Sequence, residues 1–269
     1  MSGHRFTAVL ALAVALAGAC GAARAGRSCE ARPPTAAAVG QAMTLAEHTA
    51  AALDKSGARV VVLARAGQNL DQWGLRYSHL GFAYREPAAG AGGRPVWRVL
   101  HKLNQCGTAQ ASIWRQGLGE FFLDDLYDYR AGVVVLAPEV QERLLPVLRS
   151  NAQALRLDTP AYSMLAYPWS TTYQQSNQWA IETLAYAFEP AAGTRERAQA
   201  WLKLQGYEPT TLHITALKRL GARATAANIA FDDHPNEKRF ADRIETVSAD
   251  SVLAWLERSR LGAAAQVVR

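Results

Sequence analysis

Three runs rich in β-branched and aromatic residues occur in VVVLARAGQNLDQWGLRYSHLGFAYREPAAGAGGRPVWRVLHKL, residues 60–103. They predict strands over Val60–Leu63, Tyr77–Tyr84 and Val96–Leu103. The segment Pro87–Pro95, between the last two runs, is rich in Gly and Pro and is typical of a tight turn. Strands joined by short connections pair antiparallel, so the sequence predicts a β-meander rather than strand–helix–strand crossovers.

Segments on both sides of this meander predict helices that could cover it. The apolar residues of Ala38–Leu53 lie at helical spacing before the first strand. Two further strands are predicted after the meander, at Gly132–Ala137 and Tyr162–Tyr167. The remaining predicted helices are Thr108–Gln116, Glu139–Leu155, Ser176–Phe188, Arg195–Leu204, Thr211–Leu220 and Ala249–Arg258. Together these elements predict the α+β class.

The composition is that of a globular protein with a substantial core. Of the 269 residues, 49% are apolar and 19% are charged, which excludes a disordered tail, a coiled coil or a collagen-like chain. We expect one domain, with a core over residues 26–190 and a helical extension over residues 191–269. The formal charge of +6 is spread along the chain without a long Lys/Arg run, which argues against a nucleic-acid partner.

The first 25 residues have the pattern of a signal peptide. Arg5 precedes the apolar run Thr7–Gly18, and Ala23–Ala25 supplies a small-x-small cleavage site. The run is shorter than the about 20 residues of a permanent membrane helix, so we expect no transmembrane segment in the mature chain. The pattern therefore predicts a periplasmic or secreted protein. A lipid anchor on Cys20 is the alternative outcome of processing.

The predicted mature chain keeps two cysteines, Cys29 and Cys106. In an oxidising exported compartment an isolated pair is more often a disulfide than a metal site. Such a bridge would tie the mature N-terminus to the body of the fold. A reactive thiol at Cys106 is the alternative.

Three residues are candidates for catalysis. His79 and His101 lie on predicted neighbouring strands, where they could approach each other across the sheet. A histidine oriented by a second polar side chain can accept the proton of a nucleophile at neutral pH. Ser176 opens a predicted helix, where the helix dipole and free N–H groups favour a nucleophile. Structural histidines and a serine that merely caps its helix are the alternatives.

The segment Asp232-Asp233-His234-Pro235 carries two carboxylates and an imidazole. These groups could bind a divalent cation or position a substrate, or they could form a proline-terminated turn held by side-chain hydrogen bonds. The sequence contains no phosphate loop, G-x-S-x-G elbow, H-E-x-x-H motif or dinucleotide fingerprint. We therefore predict no cofactor and no metal site.

The segments YSHLGFAYR, HKLNQCGT, SNQW and FDDHP together resemble a bacterial family known as domain of unknown function 2145, from about Cys29 to Leu261. Residues 59–187 also resemble the circularly permuted, papain-like branch of the NlpC-type hydrolases, which includes relatives of lecithin:retinol acyltransferase. The second resemblance implies a papain-like α+β fold, with an antiparallel sheet, packed helices and a C-terminal helical extension.

The hydrolase resemblance also implies roles for the candidate residues. His79 would be the base, and His101 would be the polar residue that orients it. Ser176 stands where those enzymes have a cysteine nucleophile, and a serine hydroxyl needs stronger activation by a base than a thiol does. Asn177 and Trp179, which follow Ser176, are candidates for substrate binding.

Two functions follow from these expectations. The first is a cofactor-independent amide or acyl hydrolase, or an acyltransferase, that acts on a peptide, glycan or lipid fragment of the cell envelope. The second is a catalytically inactive papain-like protein that binds such a fragment in the same cleft, because the thiol is replaced by Ser176.

Overall fold

The computed structural model describes residues 33–87, 93, 95–124 and 126–269. Within these residues the fold is α+β, as predicted, with a six-stranded antiparallel sheet, a two-stranded ribbon and nine helices. The strands are β1 (Val60–Ala66), β2 (His79–Glu86), β3 (Val96–Asn104), β4 (Ala111–Gly117), β5 (Asp128–Val135), β6 (Thr210–His213), β7 (Arg243–Thr246) and β8 (Gln266–Val268). The helices are α1 (Ala36–Ser56), α2 (Leu118–Phe122), α3 (Pro138–Arg149), α4 (Asn151–Ala154), α5 (Ser176–Phe188), α6 (Arg195–Leu204), α7 (Ala216–Thr225), α8 (Asn236–Phe240) and α9 (Ala249–Arg258).

The main sheet has the strand order β4-β3-β2-β1-β5-β8. The predicted meander is confirmed, because β1 pairs antiparallel with β2, β2 with β3, and β3 with β4. Strand β5 pairs with the other edge of β1, and β8, at the C-terminus, pairs with β5. Strands β6 and β7 form the separate ribbon.

Both faces of the main sheet are covered, since successive strand residues point to opposite sides. Val62 and Phe82 belong to a large core that α3, α5, α6 and α9 share. Val61 and Val99 point the other way, into a second core with α1 and α2. The sheet therefore lies between two helical layers, and the C-terminal helices α6 and α9 pack into the same core as the strands.

The helix predicted over Thr108–Gln116 is wrong, because Ala111–Gly117 is strand β4. This strand forms a hairpin with β3, and the turn between them contains Gly107 at φ +75°. Glycine adopts that left-handed conformation without the steric cost of a side chain. Pairing with β3 thus overrides the local helical pattern.

The strand predicted over Tyr162–Tyr167 is also wrong. Only one isolated bridge, between Gln110 and Ala161, occurs at its start. The following backbone is held by contacts outside any ladder: Met164 N–H donates to the Asn228 carbonyl at 2.8 Å, and Tyr167 N–H donates to Asp233 Oδ2 at 2.7 Å. The segment is therefore an irregular connection rather than a strand.

Two helix predictions need correction at one end. The first part of Thr211–Leu220 is strand β6, and the helix begins only at Ala216, because β-branched Thr210 and Thr211 pair with β7. The helix predicted over Glu139–Leu155 is divided into α3 and α4 at Ser150. Ser150 has an extended backbone, and its hydroxyl accepts a hydrogen bond from Gln153 N–H, which starts the second helix.

The predicted signal peptide, Cys20 and Cys29 lie outside the described residues. Among the helices that the structure does describe, none has the length and apolar character needed to cross a bilayer.

Candidate functional site

His79 and His101 lie in direct contact on adjacent strands. His79 opens β2, and its Nε2 is 2.8 Å from Nδ1 of His101 on β3. His101 Nε2 is in turn 2.7 Å from Oε1 of Gln116 on β4. Three neighbouring strands thus contribute one side chain each to a continuous hydrogen-bonded chain. Gln116 is not among the predicted site residues, because its segment is predicted to be a helix.

The order of donors and acceptors in this chain fixes the proton positions. An amide oxygen only accepts, so His101 donates through Nε2 to Gln116 Oε1. In neutral His101 the other nitrogen, Nδ1, is then an acceptor, and it receives a hydrogen bond from Nε2 of His79. Neutral His79 therefore carries its lone pair on Nδ1, in the arrangement that a general base requires.

The surroundings of the two rings keep them neutral. Burial lowers the pKa of His79 well below its ordinary value, and the charges of Arg65 and His101 act in the same direction. Burial also lowers the pKa of His101 to about 3, with a further contribution from Arg65, while the hydrogen bond to Gln116 opposes the shift. At neutral pH both imidazoles are therefore uncharged.

Gly81 makes room for this pair. A Cβ atom at Gly81 would lie 2.7 Å from His101 Cβ and 2.8 Å from the Leu100 carbonyl oxygen, which is closer than van der Waals contact allows. The buried Phe121 ring of α2 packs against the pair, with its centroid 5.1 Å from that of the His101 ring and 6.0 Å from that of the His79 ring. The SHLG sequence thus combines a functional candidate with the glycine that lets its partner approach.

We expect the free energy of unfolding to fall as the pH drops from about 6.5 toward 3. The unfolded chain takes up protons on His79 and His101 in this range, whereas the folded chain takes up fewer because both folded pKa values are lowered. Stability rises with pH wherever the unfolded state binds more protons, by up to about 1.4 kcal/mol per pH unit for each histidine. Urea unfolding at several pH values measures this slope.

The control for this prediction is His101→Gln, which removes one of the two titrating groups. Carboxylates contribute to the slope of both proteins, so the difference between them isolates the histidine. The slope of the variant should be smaller by about 1.4 kcal/mol per pH unit below the ordinary histidine pKa. Equal slopes in the two proteins would contradict the neutral, buried state of His101.

Ser176 is the first residue of α5, but it does not cap the helix. Gln175 is the cap, and its Oε1 accepts a hydrogen bond from Asn177 N–H at 2.8 Å. The alternative of Ser176 as a plain N-cap is therefore wrong. Burial raises the pKa of the Tyr162 hydroxyl, and a hydrogen bond from the Ser176 side chain opposes that shift.

His79, Tyr162 and Ser176 share the walls of two adjoining cavities, of about 290 Å³ and about 710 Å³. The base and the predicted nucleophile thus face a common space at the end of β2. Within the described part of the chain no hydrogen bond joins Ser176 to His79, whose Nε2 contacts His101. Attack by Ser176 would require its hydroxyl to approach Nδ1 of His79.

Asn177 and Trp179, the two predicted substrate-binding residues, occupy different surroundings. Asn177 lines the smaller cavity and ties α5 to its neighbours, because its Oδ1 accepts from Leu80 N–H at 3.0 Å and its Nδ2 donates to the Val247 carbonyl at 3.1 Å. Trp179 is fully buried against Phe82 and lines neither cavity. We therefore do not include Trp179 in the site proposed below.

The Asp232-Asp233-His234 segment holds backbone segments together. Asp233 Oδ1 lies 2.9 Å from His234 Nδ1, and His234 Nε2 lies 2.9 Å from the Glu245 carbonyl oxygen of β7. The other Asp233 oxygen accepts from Tyr167 N–H. The residues that the structure describes contain no group of three or more His, Cys, Asp or Glu side chains placed to hold a metal ion. These contacts favour the interpretation as a hydrogen-bonded turn.

Cys106 lies in the turn between β3 and β4 and lines the larger cavity. Its predicted partner Cys29 is outside the described residues, so the disulfide stays a prediction.

Comparison with known proteins identifies one family. The model described as "Uncharacterized protein conserved in bacteria (DUF2145)" matches residues 52–256, which is more than half of the chain and includes the whole candidate site. Neither the curated proteins nor the solved structures contain a match.

Proposed function

This chain belongs to the DUF2145 family of bacterial proteins, and from its candidate site we propose that it is a cofactor-independent hydrolase or acyltransferase acting on an acyl or amide bond. The observation that carries the proposal is the series of hydrogen bonds from Gln116 through His101 to His79. It leaves His79 as a base in the cavity wall that it shares with Ser176. Maintaining two neutral histidines in a buried site costs stability at acidic pH. Such an arrangement is typical of functional sites.

The proposed reaction begins when Nδ1 of His79 removes the proton of the Ser176 hydroxyl as the oxygen attacks the acyl carbonyl. The resulting imidazolium donates that proton to the leaving amine or alkoxide, and an acyl group remains on Ser176. Water, activated by the same nitrogen, then releases the acid, and a second alcohol in its place would give acyl transfer. The dipole at the start of α5 favours the negative charge that develops on the carbonyl oxygen.

The papain-like assignment belongs to this proposal, as does export. It is supported by the order of the parts: a strand histidine, an orienting group on the next strand, and later a residue that opens a helix. A periplasmic or secreted location would bring the enzyme to peptide, glycan or lipid fragments of the cell envelope. The antiparallel sheet with helices on both faces is compatible with the proposed fold.

The direct test is covalent labelling of Ser176 by a fluorophosphonate. We expect a mass increase that maps to the Ser176 peptide, because His79 activates that hydroxyl. Ser176→Ala should lose the adduct, and Ser176→Cys should react with iodoacetamide at position 176 faster than free cysteine does at the same pH, since a base next to a thiol promotes the thiolate.

Ser78→Ala provides a matched control for the labelling experiment. Ser78 lines the same two cavities, but its hydroxyl is held by a 2.9 Å hydrogen bond from Gly67 N–H. Labelling at Ser176 should persist in this variant. Absence of any adduct at Ser176 in the wild-type protein would contradict a serine nucleophile.

A catalytically inactive binding protein is the second candidate. It is favoured by one observation: among the described residues no hydrogen bond joins the Ser176 hydroxyl to His79, which contacts His101 instead. Two results together would support this function over the first. The wild-type protein would form no adduct, and an envelope fragment would bind equally well to it and to Ser176→Ala.

A further inference from the structure

The smaller of the two cavities that meet at His79 and Ser176 has an apolar wall, formed by Trp73, Leu75, Leu165, Leu212, Ile214 and Val247. Its remaining lining is largely polar and includes Gln68, Asn69, Gln72, Gln175, Asn177 and Ser248. The larger one is lined by polar and charged groups, among them Arg65, Asn104, Gln116, Glu120 and Asp124. The candidate site therefore lies between the apolar wall of the smaller cavity and the charged side chains that line the larger one.

Apart from Val247, which belongs to the larger main core, the residues of the apolar wall come from a separate cluster. Leu212 of β6 and nearby Ile214 pack with Phe231 and Ile244, and Trp73 and Leu75 lie against them from the connection between β1 and β2. This cluster leaves about 290 Å³ next to the candidate site. Apolar cavities of this kind favour apolar ligands, because filling them removes apolar surface from water.

The polar groups along the inner wall of this cavity already have partners within the protein. The Gln175 amide donates to the Val247 carbonyl, and its oxygen accepts from Asn177 N–H. Asn177 is fixed between Leu80 and Val247. In contrast, the lining residues Gln68 and Gln72 are not buried, which places polar groups toward the mouth. The inner wall thus offers contact surface rather than hydrogen bonds to a ligand.

We propose that the smaller cavity holds the aliphatic acyl chain of the substrate while the larger cavity holds its polar leaving part. This inference rests on the proposed function, since the scissile carbonyl must lie between the cavities, beside His79 and Ser176. The substrate class is an ester or amide of a medium-length aliphatic acid.

The volume of the smaller cavity fits an extended acyl chain better than a single amino-acid side chain. Liquid water occupies about 30 Å³ per molecule, so the cavity holds on the order of ten groups of that size. One leucine side chain would leave more than half of this space unfilled. A straight acyl chain of roughly eight to ten carbons would fill it.

The test measures binding of butanoate, hexanoate, octanoate, decanoate and tetradecanoate, the acids that the proposed reaction would release, by isothermal titration calorimetry. The affinity should rise about fourfold for each added methylene group, as expected for burial in an apolar site, and should level off beyond roughly ten carbons. The same series should be measured on Ser176→Ala, where binding should persist because the cavity does not depend on turnover. Affinity that is independent of chain length would overturn the acyl cavity.

Leu75→Trp tests whether the acyl chain lies in the smaller cavity. Leu75 lines the smaller cavity and is only partly buried, so a larger side chain can occupy the space without entering a main core. Octanoate affinity should fall at least tenfold. Leu217→Trp is the matched control, because Leu217 is 79% exposed on α7 and lines neither cavity. Unchanged octanoate affinity in a folded Leu75→Trp protein would overturn the assignment, and the wild-type chain-length series decides if that variant does not fold.

Hydrolysis of p-nitrophenyl acetate and p-nitrophenyl octanoate separates this inference from the proposed function. Chain-length-dependent binding without hydrolysis of either ester would support the acyl cavity and contradict the hydrolase. Hydrolysis of both esters at similar kcat/KM, with binding that does not depend on chain length, would support the hydrolase and overturn the acyl cavity.

Discussion

Replacing His79 with asparagine is expected to lower kcat/KM for p-nitrophenyl octanoate by about 10²–10⁴-fold, the usual contribution of a general base. The asparagine amide can still donate a hydrogen bond toward His101, but it has no basic nitrogen to receive the Ser176 proton. The loss should appear mainly in kcat, since proton transfer belongs to the transition state rather than to substrate binding.

Two variants make this result interpretable. His213→Asn is the matched control, because His213 is exposed on β6 and lines neither cavity, and its kcat/KM should equal that of the wild-type protein. Gln116→Leu should reduce the rate less than His79→Asn does. It removes the acceptor that fixes the His101 tautomer while the base remains in place. Equal kcat/KM for wild type and His79→Asn would contradict the proposed mechanism.

Glu182→Gln is expected to lower the free energy of unfolding by about 3–5 kcal/mol, the usual cost of removing one partner of a buried ion pair. Glu182 on α5 has no exposed surface, and it accepts hydrogen bonds from Arg195 at 2.8 and 3.1 Å, from Gln199 at 2.8 Å and from Gln174 at 2.6 Å. The substitution conserves shape but leaves the buried Arg195 guanidinium without its counter-charge. Urea denaturation at neutral pH measures the loss.

Glu139→Gln is the matched control for this prediction. Glu139 forms an i,i+4 pair with Arg143 on α3, at 3.1 Å, with 65% of its side chain exposed. Exposed pairs of this kind contribute about 0.3–0.5 kcal/mol, so the control should be almost neutral. A loss below about 1 kcal/mol in Glu182→Gln would show that the ion pair does not hold α5 and α6 together.

The sequence predicts the parts of the fold in which local pattern and tertiary packing agree. Helices α5, α6 and α9 begin and end at the predicted residues, because each has apolar residues at helical spacing and an identifiable end. The three strands of the meander were predicted to within about three residues, from β-branched runs separated by glycine and proline. Their antiparallel order followed from the short connections.

The errors occur where distant contacts decide the conformation. Strand β4 has a mixed composition and becomes a strand because β3 offers it an edge, and with it Gln116 joins the histidine pair. Nothing local in residues 108–116 indicates that partner. Trp179 illustrates the same limit for the site, since its position near Ser176 in sequence does not reveal that the helix turns the ring into the core.

The position of strand β8 has a consequence for biosynthesis. This strand, Gln266–Val268, pairs with β5, so that edge of β5 stays open until residues 266–268 have left the ribosome. An unpaired strand edge is a template for pairing with another chain. Throughout the synthesis of residues 136–265 the nascent protein therefore exposes an unpaired edge along β5 that could pair with another chain. A chain that terminates before Gln266 would keep that edge permanently.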